Sequence, residues 1–180
     1  MHIIKHFLTV TKHRARVMVL CFKCGLYRQG LTHDLSKYSI VEFLEGAKFY
    51  SGVHSPISSC RKKTGKSEAW LHHKGRNPHH PEYWIDYTGP VMMPYKYVVE
   101  SICDKIAAGR TYHTHDYDNS EPLNFWYKNL GKIPVHKKTE EFIEHVLTDL
   151  SIHGEKYILN KKYMQETYKK ICGPLKNKRW

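Results

Sequence analysis

The first carboxylate side chain in this chain is Asp34; residues 1–33 contain no acid at all. That absence leaves the N-terminal fifth purely basic, which excludes it as a cation-attracting surface and favours anions instead. Long apolar runs are also missing. Val17 to Phe22 gives six consecutive apolar residues, too few for a membrane span, and Lys12, His13, Arg14 and Arg16 interrupt any signal-peptide core. No membrane span is therefore expected, and the absence points to a cytoplasmic protein. Cysteine is sparse and odd in number, at Cys21, Cys24, Cys60, Cys103 and Cys172. Five scattered thiols are no disulfide framework and argue for a reducing compartment. Cys21 and Cys24 form a CxxC, but no second one completes a zinc site; on an apolar helix they are expected as buried small side chains. Alternating strand-like runs and internal repeats are lacking too, which leaves an all-α fold.

What is present is basic and histidine-rich. The 180 residues hold 29 Lys and Arg against 17 Asp and Glu, a formal net charge of +12, with 14 His. The hydrophobic fraction of 41% is that of a chain that buries a core, so a single domain over 1–180 is expected. A second basic stretch closes the chain: Lys161, Lys162, Lys169, Lys170, Lys176, Lys178 and Arg179 face one acid, Glu166. Such a face attracts nucleotides, nucleic acid or acidic headgroups, or is simply solvated.

Residues 3–29 are expected as one long helix or two consecutive ones, loosened by Gly25 and Gly30. His13 lies on the apolar face of this segment, with Val10, Val17 and Leu20 at helical spacing. Ser39 with Glu42 matches a capping box, which predicts a helix to about Tyr50. Residues 51–66 are expected as a loop. Glu68 to Lys74 is a short helix opened by Ser67, and Pro78 and Pro81 bracket His79 and His80 and stiffen that block. A helix from Pro94 to about Gly109 carries Asp104 near the edge of its apolar face. Residues 110–134 are expected to be irregular, with His115, Asp116 and Asp118 in a solvated loop. C-terminal helices follow, one capped by Thr139 to about Leu150 and one from about His153 to Ile171, stopped by Gly173 and Pro174. The metal-site core should lie within about 1–110 and the C-terminal helices within about 139–172.

The order His13, His33-Asp34, His72-His73, His79-His80, Asp104 carries the chemistry. Imidazole and carboxylate together hold borderline divalent metals. An adjacent His-Asp pair presents a nitrogen and an oxygen from a single turn, to one ion or to two. Lys37 lies one turn on from Asp34 and is placed to bind a phosphate oxygen or protonate a leaving group. Each element has a plainer reading. His13 could be a satisfied core histidine, the histidine pairs structural, and Asp104 a surface carboxylate paired with Lys105 or Arg110.

His13, His33-Asp34 and Asp104 resemble the H…HD…D signature of the HD-domain superfamily, all-helical metal-dependent phosphohydrolases. The fuller order is similar to its multi-metal branches. The HDxGK stretch of the HD-GYP cyclic-dinucleotide phosphodiesterases resembles His33-Asp34-Leu35-Ser36-Lys37, with Ser36 in place of glycine; the GYP motif is lacking, which argues against a cyclic dinucleotide substrate. Closest in pattern is a small HD-like family of bacteria and phage, marked by HDLSK (33–37), an HH pair (72–73), NPHHPEYW (77–84) and a later CD (103–104). The resemblance spans about 1–110 and implies an HD-domain-like helical bundle. It implies His13, His33, Asp34 and Asp104 as core metal ligands, His73, His79 and His80 as ligands of a second metal with His72 the alternate to His73, and Asp34 as the bridge.

The expected cofactor is one or two divalent transition-metal ions, iron or manganese first, with zinc, cobalt, nickel or magnesium as alternatives. The expected reaction is attack by metal-activated hydroxide on a phosphate ester, most simply a nucleotide, with Asp34 and Lys37 catalytic and Lys37, His72, Lys74 and Arg76 holding the substrate. Two other classes stand beside it: a di-iron HD-type oxygenase using the same ligand order, and a non-enzymatic basic protein that binds nucleic acid or a partner.

Overall fold

A computed structural model describes residues 1–112 and 117–175. The chain is an all-α bundle. Its helices are α1 (Ile3–Lys23), α2 (Tyr27–Thr32), α3 (Ile40–Lys48), α4 (Pro56–Thr64), α5 (Glu68–Lys74), α6 (Tyr95–Tyr112), α7 (Glu121–Asn129), α8 (Lys137–His153), α9 (Glu155–Ile158) and α10 (Lys161–Cys172). Single 3₁₀ turns at Leu35–Tyr38 and Pro81–Trp84 join them, and Ile85–Asp86 pairs antiparallel with Gly89–Pro90 in a minimal hairpin. Among the described residues no helix is long and apolar enough to cross a membrane.

α6 is the shared wall of the bundle. Val98, Val99, Ile102, Cys103, Ile106 and Ala107 point into one apolar cluster with Val17, Leu20 and Cys21 of α1 and Phe142, Ile143, Val146, Leu147 and Leu150 of α8. Met164 and Tyr168 of α10 close that cluster, and the Tyr168 hydroxyl donates to the Met93 carbonyl at 3.0 Å. Cys21 and Cys24 are both buried in it, as their apolar surroundings in sequence predicted.

Of the two expectations for residues 3–29, the chain takes the second, two consecutive helices. Gly25 turns the chain between them at φ 74°, and a Cβ there would meet Lys161 Cδ at 2.9 Å. Four expectations differ. Residues 51–66 are not all loop: Pro56 starts α4 and left-handed Gly65 ends it. The stretch 110–134 contains α7. The last helix is broken, because the Asn160 side chain accepts from Tyr163 N at 2.8 Å and opens α10 afresh after α9. Thr139 is not the cap of α8. His136 Nδ1 accepts from Lys138 N in that role, and Thr139 is buried, its hydroxyl accepting from Met93 N at 3.0 Å. Cys172 is the last residue of α10, and Gly173 caps it as expected.

A buried histidine–carboxylate cluster

The loop between α2 and α3 places the His-Asp pair. His33 is the C-cap of α2, and Arg14 of α1 donates Nε to its carbonyl at 2.7 Å. Asp34 then turns left-handed, φ 51° and ψ 29°, and is alone among the described non-glycine residues at positive φ. An L residue in that region carries strain of about 1 kcal/mol or more, which persists where the surroundings hold it. Here the turn lets both His33 and Asp34 face inward, each 1% exposed. The 3₁₀ turn beginning at Leu35 brings Lys37 back, its Nζ 2.8 Å from Asp34 Oδ2.

Four other segments converge on this pair. α1 brings His13, whose Nε2 lies 3.0 Å from Asp104 Oδ1. α6 brings Asp104, and its Oδ1 is 3.7 Å from His33 Nε2. α5 brings His73, with Nε2 3.3 Å from Asp34 Oδ1. The stiff block after α5 brings His79, with Nε2 3.5 Å from the same oxygen, and His80 beside it. That block is tied down by Trp84 Nε1, which donates to the Pro78 carbonyl at 2.6 Å.

Three candidate ligand groups result: His33–His79–Glu100, and two that share Asp34, His13–His33–Asp34–Asp104 and Asp34–His73–His79–His80. The carboxylate divides between them. Its Oδ2 lies 3.3 Å from His33 Nε2, and its Oδ1 faces His73 and His79. With metal–ligand bonds of about 2.0–2.2 Å, two donors on one ion sit about 3.0–3.5 Å apart. Most of these separations fall there. Beyond the ion pairs just given, His13 Nε2, His33 Nε2, His79 Nε2, His80 Nε2 and both Asp34 oxygens are buried without a well-directed hydrogen bond. Buried polar atoms are normally satisfied, so a convergent set of orphans of this donor chemistry fits a divalent metal.

The outward nitrogens are engaged by two glutamates. Glu100 Oε1 lies 2.9 Å from His33 Nδ1 and 3.3 Å from His79 Nδ1. Glu42 Oε2 lies 2.7 Å from His73 Nδ1, and its Oε1 2.6 Å from His72 Nδ1. A carboxylate on Nδ1 holds a proton there, so that a cation displacing any proton from Nε2 would find a lone pair facing the cluster. Without a cation, burial would lower His33, but Asp34, Asp104 and Glu100 raise it well above the ordinary imidazole range, and its ring is charged. Neither glutamate was singled out from the sequence as a site residue. Glu42 was taken for half of a capping box, and only the other half forms: Ser39 Oγ accepts from Glu42 N at 3.4 Å while the Glu42 side chain turns to the histidines. Glu100 precedes Asp104 by four residues, one turn along the same face of α6, which was its legible signal. Asn77 was likewise quoted only within a motif; its Nδ2 donates to Ser36 Oγ and to the His73 carbonyl, both at 2.8 Å.

Electrostatics keep the carboxylates ionised. Burial alone would raise Asp34, but His33, Lys37 and His73 hold it well below the usual carboxylate range. Burial likewise opposes ionisation of Asp104, and His13 and His33 overcome it. Burial would lower Lys37, yet Asp34 and Asp104 raise it, so it stays an ammonium. His80 is driven well down by burial and by the neighbouring His79 and His73, which leaves a neutral imidazole.

The substrate-holding residues expected from sequence part company. Lys37 sits in the cluster. His72 is partly exposed and bound to Glu42 rather than to the shared aspartate. Arg76 is exposed and donates to the His72 carbonyl, and neither it nor half-buried Lys74 makes a hydrogen bond or ion pair with the clustered ligands. Asp104 is no surface carboxylate paired with Lys105 or Arg110; Lys105 donates to Ser101 and Arg110 pairs with Glu155. Asp118 is exposed in a turn, as expected, while His115 and Asp116, with Lys176, Lys178 and Arg179 of the basic tail, lie outside the described residues.

Fold and site together define an all-helical protein with two adjoining histidine–aspartate ligand groups that could hold metal ions. The chain belongs to the family of unknown function DUF5662, which residues 2–149 match. No curated protein and no solved structure matches it. The family match includes every residue of the cluster and stops within α8.

Proposed function

We propose that the protein is a metal-dependent phosphohydrolase of the HD-domain type, acting on a phosphate ester, most simply a nucleotide. The observation that carries this reading is Asp34, whose two oxygens face two separate ligand groups while Lys37 stands against one of them. Two divalent ions bound there would polarise a phosphoryl oxygen and lower the pKa of a coordinated water. His13, His33 and Asp104 would hold one, His73, His79 and His80 the other, and Asp34 both. Iron or manganese suits this mixture of imidazole and carboxylate, with zinc, cobalt, nickel and magnesium as alternatives.

The side chains then have distinct duties. Glu100 and Glu42 fix the tautomers and ring orientations of three histidines. Asp34, Asp104, Glu42 and Glu100 balance the charge of two divalent cations, which leaves the Lys37 ammonium for the anion. Its side chain is 27% exposed and its Nζ stands against the Asp34 carboxylate, from where it would bind a phosphoryl oxygen or protonate the departing alkoxide. Burial of the cluster excludes bulk water and strengthens each of these interactions.

The test is elemental analysis of anaerobically purified protein beside its Asp34→Ala variant, then a nucleotide screen for phosphate release with and without oxygen. About two equivalents of metal, lost in the variant, with oxygen-independent release, are expected. Product that appears only with oxygen moves the protein to the di-iron oxygenase class. No metal in either protein after reconstitution, with nucleic-acid binding intact in the variant, moves it to the basic binding class.

A further inference from the structure

α1 has two faces of different character. The inner one carries His6, Val10, His13, Val17 and Leu20, all buried. The outer one carries Ile4, then Leu8 one turn on, then Val19 about three turns further. α2 lies beside it. The Tyr27 ring packs on Phe22 with centroids 5.3 Å apart, and a Cβ added at Gly30 would stand 3.0 Å from the same Phe22 ring. α2 presents Tyr27 and Leu31 to solvent, again one turn apart. These five large side chains are between 51% and 75% exposed. Single apolar residues on a surface need no explanation, but a patch over two packed helices marks an interaction site.

The charges indicate what covers it. Lys5, Lys12 and Lys23 are exposed and fall along one edge of the α1 stripe, and Arg28 is exposed on α2. None of these four side chains makes a hydrogen bond or ion pair among the described residues. Arg14 and Arg16, by contrast, are held by the carbonyls of His33, Leu31 and Arg110. No acid occurs in residues 1–33. The next carboxylates along the chain are engaged elsewhere: Asp34 in the cluster, Glu42 with His72 and His73, and Glu45 with Ser67 and the Glu68 and Ala69 amides. A second copy of this face would bring the same lysines and no acid to meet them, so self-pairing is opposed. Apolar side chains flanked by long, unpaired lysines suit a partner that is apolar within and anionic at its surface.

We propose that the outer face of α1 and α2 seats the protein on a membrane surface bearing anionic headgroups. Ile4, Leu8, Val19, Tyr27 and Leu31 enter the headgroup boundary, while Lys5, Lys12, Lys23 and Arg28 meet the anions. The helices lie on the surface and do not cross it. His13 projects from the opposite face of α1, which places the cluster about one helix diameter, roughly 10–12 Å, from the lipid. This seating is independent of the reaction the cluster performs.

The full chain is sedimented with phosphatidylcholine vesicles, with and without about 30% phosphatidylserine, in about 0.1 M salt. The wild type is expected to bind the anionic vesicles at least about tenfold more tightly than the neutral ones. Ile4→Gln with Leu8→Gln keeps every charge and weakens that binding at least about tenfold. Lys5→Gln, Lys12→Gln and Lys23→Gln together weaken it by a similar factor, about tenfold or more. Lys169→Gln with Lys170→Gln, which removes charge from α10 instead, changes it less than about threefold. Metal content stays at the wild-type level in each, since the substituted side chains point away from the cluster. Circular dichroism checks the fold; should the Ile4 and Leu8 pair unfold, Val19→Gln with Leu31→Gln reads the same stripe elsewhere. Three outcomes overturn the proposal. Wild type may be left in the supernatant by both vesicles. The charge-preserving variants may bind as the wild type does, or the α10 variant may lose as much as the α1 lysine variant, which is adhesion of a basic protein by charge alone. A dimer in sedimentation equilibrium that Ile4→Gln with Leu8→Gln dissolves, without vesicle binding, assigns the face to a second copy.

Discussion

The two sides of α6 are built on opposite principles. Toward α8 and α10 the interior is apolar: Phe142, Ile143, Val146, Leu147, Leu150 and Met164 are fully buried. Among the described residues after 116, Thr139 and Thr167 are the buried polar ones. Toward α1, α3 and α5 the interior holds His6, His13, His33, Asp34, Glu42, His73, His79 and Glu100, all buried. Burying a charged or polar group costs free energy unless it is paired, so the second half, even with its groups paired to one another, adds less to stability than the apolar half. The apolar half supplies the folding free energy, and α6 transmits it, carrying Ile102 and Ile106 on one face and Glu100 and Asp104 on another. The difference teaches that the apolar half carries the stability, while the histidine half concentrates polar groups that could hold a metal.

The largest blow to that comparison falls on the apolar side. Phe142→Ala should cost about 3–5 kcal/mol of unfolding free energy in urea titrations of the metal-free protein, since it empties the middle of the α6–α8 contact. The fraction that remains folded should bind metal with wild-type stoichiometry. A variant that keeps its stability but loses metal would show that the two halves are not divided in this way.

The next effect sharpens the comparison from the other side. Glu100→Gln preserves the volume of the side chain between His33 and His79 and removes the charge that orders both Nδ1 protons. Metal affinity should fall about 10- to 100-fold, measured by competition with a chelator, as for other partners of ligating histidines. Unfolding free energy without metal should change far less than in Phe142→Ala. An unchanged metal affinity would mean that the histidines are oriented by packing alone.

Legibility in the sequence follows the same division. The order of His and Asp positions was readable because each ligand is chemically distinctive, and the structure brings His13, His33, Asp34, His73, His79, His80 and Asp104 together. The helices that bury broad stripes, α1, α6 and α8, were readable by periodicity. α4 and α7 were not, because each buries just two residues four apart, Pro56 and Cys60 in one and Pro122 and Trp126 in the other. Two apolar positions on a polar, lysine- or tyrosine-bearing segment make no stripe. Glu42 and Glu100 were hidden for a different reason: their meaning depends on α3 docking against α5 and on α6 crossing beneath the His79 loop. Local grammar gave Glu42 a competing assignment as a helix cap. His72 and His73 were interchangeable in sequence, and the seating of α5 decided between them. Glu45 of α3 accepts from the Glu68 and Ala69 amides and so orients that helix with His73 inward.

The smallest expected effect concerns the cost of keeping a neutral imidazole at His6. Its value falls from 6.5 in the unfolded chain to about 4 in the folded protein. Above pH 6.5 both states are neutral there, and the full stability is present. As pH drops through that value the unfolded chain takes up a proton that the folded one refuses, so stability declines until pH reaches about 4. For this one group the loss between pH 6.5 and about 5.5 is about 1 kcal/mol. His13 and His80, also driven down by burial, tilt the metal-free protein the same way. The informative quantity is accordingly the difference between wild type and His6→Phe, followed by urea titration without metal across that interval. The His6→Phe curve should lose about 1 kcal/mol less than the wild type over that step. Parallel curves would mean that His6 accepts its proton in the folded state, and the histidine side of α6 would then be better solvated than its burial implies.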